Sequence, residues 1–190
     1  GERTNGDIYC GTNAPIIDCD FGKVGCAICF DLNFEPIRLE YEKQRPEMII
    51  FCSNYHGGIM QNYWAYSCRS YFVSAFGYGE STIVSPVGET VGRSSSYYSY
   101  FTKTINLDYA VAHLDYNGER LRAMKAKYGP GVTIHDPSHL GAVLISSEID
   151  GVSAMDMVGE FEVELLDDYF TRSLEFHDNN RAEDFADECY

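Results

Sequence analysis

The chain has 190 residues, enough for one domain with an appendage and for an adequate core. Hydrophobic residues make up 45% of it, with 15 Tyr and 11 Phe, which argues against a chain disordered for want of hydrophobicity. A formal charge of −15 repels phosphate backbones and anionic lipid surfaces, so neither nucleic acid nor a membrane is expected as partner.

The start, Gly1-Glu2-Arg3-Thr4, carries no signal-peptide pattern, and no apolar run approaches the length of a transmembrane helix. Two short strands are predicted first, Pro15 to Cys19 and Val24 to Cys29, joined by a turn at Phe21-Gly22-Lys23. The second is nearly all small or apolar, as expected of a strand buried on both faces. A helix follows from Glu35 or Pro36 to Gln44, because proline suits a first helical turn. Met48 to Cys52 is another buried strand, broken by the loop Ser53-Asn54-Tyr55-His56-Gly57-Gly58. Trp64, Cys68 and Tyr71 recur at helical spacing and predict a helix over Gln61 to Tyr71. Strands are expected at Phe72 to Phe76, Ser81 to Ser85, Glu89 to Arg93 and Tyr100 to Leu107.

Beyond Asp108 the character shifts. A basic helix carrying Arg120, Arg122, Lys125 and Lys127 is predicted, stopped by Gly129-Pro130-Gly131. Short apolar runs follow near Val132 and at Ala142 to Ile145, then an acidic amphipathic helix over Glu160 to Leu174, then a charged end. Strands alternating with helices and then a run of strands indicate an α/β layered domain. The charge is concentrated late, with fourteen acids from Glu148 to Glu188 against Arg172 and Arg181. That excess reads as a solvated acidic face or as a surface that docks on a basic partner.

Seven cysteines, at 10, 19, 26, 29, 52, 68 and 189, lack the compact spacing of a secreted disulfide framework, so reduced thiols in a cytoplasmic compartment are expected. Cys26 and Cys29 form a C-x-x-C, yet the suitably spaced His135 and His139 lie more than a hundred residues away, so no zinc site, and no cofactor, is expected. A cysteine in an apolar run is ordinarily a small buried hydrophobe. Cys29 differs in its address, since it ends a buried strand at a loop that feeds a helix, where a thiol gains exposure and can gain thiolate character.

The stretch Gly22-Lys23-Val24-Gly25-Cys26-Ala27-Ile28-Cys29-Phe30-Asp31-Leu32-Asn33-Phe34 resembles the active-site segment of the nitrilase superfamily, the carbon–nitrogen hydrolases. Met48 to Ser53 with Asn54-Tyr55-His56 resembles the next strand and its pocket loop, and Trp64 with Arg69 the following helix. Gly79-x-Ser81-x-Ile83-x-x-Pro86-x-Gly88 resembles a further segment of the same family. Three departures stand out: Glu35-Pro36 where the family usually has Pro-Glu, Asn33 where an Arg is common, and Arg69 followed by Ser70-Tyr71-Phe72 without an acid.

The resemblance implies a four-layer αββα sandwich, incomplete at its N-terminus, with a C-terminal helical extension. Residues 1–109 would be the catalytic-cysteine half, 110–178 the extension and an oligomer contact, and 179–190 an acidic tail. It implies hydrolysis of a small amide or nitrile through a thioester on Cys29, with the backbone N–H of Phe30 as an oxyanion donor. Asn54, Tyr55 and His56 would line the substrate pocket, and Asp31 would support the nucleophile loop. The family's general-base Glu and its Lys lie further upstream of the cysteine than this chain extends; Glu2 and Lys23 do not match them, Lys23 reading as a turn lysine. The chain alone is therefore expected to be inactive. A homodimer is expected, the basic and acidic helices being complementary either within one subunit or between two. The alternatives are a non-catalytic interaction protein on the same fold, and a papain-like pairing of Cys29 with His56, for which the local sequence shows no signature.

Overall fold

In a computed structural model of the chain, residue 11 and residues 13–181 are described. Glu2, Cys10, Cys189 and most of the acidic tail lie outside the described residues. The described chain divides into two compact units, one running through Tyr109 and taking in Pro137–Leu140, the other formed by Ala110–Asp136 and the residues from Gly141 onward.

The first unit is built on a six-stranded sheet in the order β1-β2-β3-β4-β5-β6. β1 (Ile17–Cys19) pairs antiparallel with β2 (Gly22–Ile28), and β3 (Met48–Ser53) and β4 (Tyr71–Phe76) then add in parallel. β5 (Thr82–Val84) and β6 (Thr90–Arg93) complete the sheet antiparallel. The parallel steps need crossovers. α1 (Glu35–Gln44) connects β2 to β3, and α2 (Ile59–Cys68) connects β3 to β4. Pro36 sits in the first turn of α1, and Arg45, left-handed at φ 51, closes the helix ahead of Pro46.

The period-2 alternation of the central strands decides what each face does. Gly25, Ile49 and Phe72 are in register, as are Ala27, Phe51 and Ser74, and these rows face the helices. Tyr41 of α1 and Trp64 of α2 fill that side of the core with Phe51 and Phe72. The opposite rows, Cys26-Ile50-Val73 and Ile28-Cys52-Ala75, are also apolar, with Ile28 64% exposed. A sheet apolar on both faces is the kind that sits inside a layered α/β sandwich.

The expected elements shift where local chemistry outweighs periodicity. The strand expected to run through Cys29 stops at Ile28, because the chain turns into a 3-10 helix over Cys29–Asn33. The second helix ends at Cys68, where Arg69 takes a left-handed φ of 53. The expected strand at Tyr100 to Leu107 is irregular; Tyr100 is 76% exposed, whereas the half-buried Phe101 sets its ring against Gly92. The segment is anchored beyond its end by Tyr109, whose hydroxyl donates to the carbonyls of Glu47 and Arg69 at 3.2 and 2.7 Å.

The second unit, expected to be helical, combines helices with a three-stranded sheet in the order β7-β9-β8. Its elements are β7 (Tyr109–His113, of which Tyr109 belongs to the first unit), α3 (Gly118–Tyr128), β8 (Val132–His135), β9 (Ala142–Ser147), α4 (Ala154–Glu160) and α5 (Leu166–Asn179). Ser153 and Asp156 form a capping box that starts α4. The acidic helix expected over Glu160 to Leu174 begins only at Leu166, as α5, and α4 ends at Glu160, leaving a break between the two. The break lets Val163 turn inward, and the fully buried Asn117 holds it by donating to the carbonyl of Glu164 and accepting its N–H at 2.9 and 3.0 Å. The basic and acidic segments meet within the unit: Lys127 pairs with Glu160, and Arg120 donates to the carbonyl of Glu162. Among the described residues no helix is long and apolar enough to cross a membrane.

Candidate active site

Cys29 follows β2 directly and has a φ of 50, an uncommon backbone state for a residue with a side chain. That dihedral turns the chain sharply out of the strand. The turn is held from several sides. Asp31 accepts the N–H of Ile28 on its carboxylate at 3.0 Å, and its carbonyl accepts the N–H of Phe34 at 3.0 Å. The indole N–H of Trp64 donates to the carbonyl of Leu32 at 3.1 Å. Leu32 is buried against Gly57, where a Cβ would lie 2.7 Å from Leu32 Cδ1; Gly57 also has a φ of 77.

The loop after β3 borders this turn. Tyr55 packs its ring 5.3 Å from that of Phe30, and its hydroxyl donates to Asn33 Oδ1 at 3.3 Å. Asn33 in turn donates from Nδ2 to the carbonyl of Phe30 at 3.2 Å. The other two expected pocket residues lie over the end of β4 instead. His56 stacks on Phe76 with ring centroids 4.9 Å apart, and Asn54 Oδ1 packs against Gly77, 2.6 Å from where a Cβ would be. The Nδ1 of His56 accepts the N–H of Gly58 at 3.1 Å, so the neutral ring carries its proton on Nε2.

Buried polar groups under the loop fix it. Gln61, 2% exposed, donates to the carbonyl of His56 at 2.6 Å and accepts from Thr82 Oγ1 at 2.7 Å. Thr82 is linked onward to Ser74 at 3.0 Å. Because β2, β3 and β4 run parallel and in register, the Cys29 turn, the Asn54–Gly58 loop and Phe76 all stand at the carboxyl ends of adjacent strands. That edge is where open α/β sheets bind their ligands.

The other thiols have different surroundings. Cys68 is fully buried in α2, its Sγ 3.7 Å from the carbonyl of Arg38, and burial pushes its thiol up to about 11. Burial, followed by the neighbouring Cys52 and Cys19, also raises the thiol of Cys26. Lys23, read from sequence as a turn lysine, is instead an exposed residue of β2 opposite Asp18 of β1, its backbone N–H donating to Glu47 Oε2 at 2.6 Å. Ser81 serves the sheet, its Oγ accepting the N–H of Phe76 at 3.1 Å. Among the described residues no group of three or more His, Cys, Asp or Glu side chains is placed to hold a metal ion.

Asn33 and Gln61 belong to this arrangement but not to the residues singled out by sequence. Asn33 stands out in sequence only as a departure from the common Arg, and Gln61 only as the start of the second predicted helix.

No protein-family model matches the chain. Among curated proteins it is 24% identical over 116 residues to Omega-amidase NIT2 of Xenopus tropicalis, covering 52% of this chain and 42% of that protein. The chain thus spans less than half the length of the relative it matches. Among solved structures it is similar to Nit3 of Saccharomyces cerevisiae, a member of branch 10 of the nitrilase superfamily, at 22% identity and a TM-score of 0.42, over 46% of this chain and 39% of that one. A second is XC1258 of Xanthomonas campestris, a CN-hydrolase superfamily protein with an arsenic adduct in its active site, at 13% identity and a TM-score of 0.43, over 63% and 49%.

Proposed function

We propose that the chain, as a member of the nitrilase superfamily, is the cysteine-bearing part of an amidase with Cys29 as nucleophile. The observation that carries this reading is the left-handed turn at Cys29, held at the carboxyl edge of three parallel strands. The Cys29 thiolate attacks the carbonyl carbon of a small amide, and the backbone N–H of Phe30 donates to the oxygen as negative charge develops there. The C–N bond then breaks, and ammonia leaves with the proton that the general base took from the thiol before the attack. Water hydrolyses the resulting thioester and restores the thiol. One well-aimed oxyanion donor is worth on the order of a hundredfold or more in rate. Asp31 supports the turn, and Tyr55, flanked by Asn54 and His56, lines the pocket wall nearest Phe30.

The general-base Glu and the Lys of this chemistry come, in this reading, from sequence outside the chain, and the 190 residues alone turn over amides too slowly to matter. The protein works in a reducing compartment, in keeping with the free thiols Cys19, Cys26, Cys52 and Cys68. It pairs with a second copy through the extension, where Phe170, Leu174 and Phe176 of α5 are 38%, 60% and 70% exposed.

Ammonia release from succinamate, the half-amide of a dicarboxylic acid, tests the reading in the full-length protein, with butyramide and butyronitrile as comparisons. Turnover that disappears in Cys29→Ala, with an acyl adduct on Cys29 detected by mass spectrometry, supports it. Undiminished turnover in Cys29→Ala, or none in the full-length wild type, overturns it, and the second outcome favours a non-catalytic interaction protein. Turnover by the 190-residue chain alone would remove the need for an outside Glu and Lys.

A further inference from the structure

We infer that Asn33 is a positioning residue that sets the direction of the Phe30 N–H and ties the nucleophile turn to the Tyr55 loop. The inference rests on the reading of Cys29 as nucleophile. An uncommon φ persists only where the surroundings over-determine it. The turn here is fixed on both sides of the reacting residue. Before it, the N–H of Ile28 is held by Asp31 at 3.0 Å. After it, the carbonyl of Phe30 is held by Asn33 Nδ2 at 3.2 Å. The dihedrals of Cys29 and the plane carrying the Phe30 N–H lie between these two anchors, so releasing one frees the other end of that short segment to rotate.

A carboxamide suits this place because it donates and accepts from one short side chain. Its donor holds Phe30, while its oxygen accepts the Tyr55 hydroxyl at 3.3 Å, and the Tyr55 ring lies against Phe30. Asn33 therefore joins the two strand-end segments of the site through their polar groups, as Phe30 and Tyr55 join them through their rings. An arginine at this position has donors only and could not accept from Tyr55. The link is a property of this chain's own residue pair.

The two halves of the carboxamide can be separated experimentally. Asn33→Asp keeps an acceptor for Tyr55 but loses the donor to Phe30; Tyr55→Phe loses only the bond between the loops. In the full-length protein, with succinamate as substrate, Asn33→Asp is expected to lower kcat at least tenfold with KM within about threefold, because the misaimed donor matters most once charge develops. Tyr55→Phe is expected to act mainly on KM. Thermal unfolding of each variant separates this from a merely structural role, which would lower the midpoint and leave kcat per folded molecule intact.

A second readout needs no turnover. Butyraldehyde adds to a cysteine thiol as a thiohemiacetal, a C–S bond forming as the thiol proton passes to the oxygen, and that oxygen stands where the Phe30 N–H points. Adduct formation on Cys29, followed by NMR of carbonyl-labelled butyraldehyde, should weaken at least fivefold in Asn33→Asp and in Asn33→Leu. Wild-type kcat and wild-type aldehyde affinity in both Asn33 variants would overturn the inference, as would the absence of any Cys29 adduct in the wild type. If succinamate and the other amides are not hydrolysed while the adduct forms and weakens as stated, the amidase reading fails and the positioning role stands.

Discussion

Gly25→Ala probes how tightly the strand leading to Cys29 is seated on α1. A Cβ at position 25 would fall 2.7, 2.9 and 3.2 Å from Cε1, Cδ1 and Cζ of Tyr41, all inside contact distance. The Tyr41 ring cannot simply withdraw. It is 1% exposed, and its hydroxyl donates to the carbonyl of Cys26 at 2.7 Å and accepts the N–H of Cys26 at 3.1 Å. Overpacking of this kind costs about 1–3 kcal/mol. A ring displaced by the methyl group loses one or both hydroxyl bonds, each worth about 1 kcal/mol. Against this, alanine narrows the unfolded ensemble by roughly 0.5–1 kcal/mol relative to glycine. The net loss is then about 3 kcal/mol. In a protein of this size that lowers the thermal midpoint by roughly 6–12 °C. Urea and thermal unfolding of the single variant, of Tyr41→Phe and of the double variant give the answer. A loss under 1 kcal/mol in Gly25→Ala would refute the reasoning, as would an equal cost in the Tyr41→Phe background, where no hydroxyl bonds remain to break.

Trp64→Phe should destabilise by about 2–4 kcal/mol in urea, since it leaves the buried carbonyl of Leu32 without its 3.1 Å donor and opens space in the core; a change below 1 kcal/mol would count against the indole as the support under the Cys29 turn. Burial raises the Cys68 thiol from 9.0 to about 11, so its stabilising contribution is fully present below pH 9.0 and is lost as pH rises through about 11. The urea midpoint of the wild type should accordingly fall between those limits more steeply than that of Cys68→Ala, and parallel curves would show that the thiol is not buried as described.

The strands and helices that carry the site are the ones that sequence shows well, and for a physical reason. β2 and β3 are small or apolar almost without interruption, one row packed against the helices and the other, Cys26-Ile50 and Ile28-Cys52, apolar though exposed or half-buried, and such runs are visible along the chain. Pro36 and the glycines of the Tyr55 loop mark a helix start and a strand end by local backbone chemistry alone. The address of Cys29 follows from those boundaries. What stays hidden depends on pairings distant in sequence. Asn33 matters through Tyr55, and Gln61 through Thr82, yet neither partner can be named from a local pattern. The break between α4 and α5 has the same origin, because Asn117, far upstream, satisfies the backbone of Glu164 where a continuous helix would otherwise run. The run from Tyr100 to Leu107 errs in the opposite direction, since it reads as a strand but forms none, with Phe101, Ile105 and Leu107 half-buried and Thr102, Lys103 and Thr104 exposed between them.

Under the proposal that Cys29 is the nucleophile, its left-handed backbone sets the chemistry of this protein against its own folding. Most residues with a side chain bear a conformational cost there on the order of 1 kcal/mol, Asn and Asp the least, so glycine, which cannot act as nucleophile, is the replacement that relaxes the turn most. Selection for yield or thermostability alone would therefore drift toward loss of the thiol. For the same reason an inactive control made with alanine keeps the strain and reports on the sulfur, whereas one made with glycine changes the backbone ensemble as well.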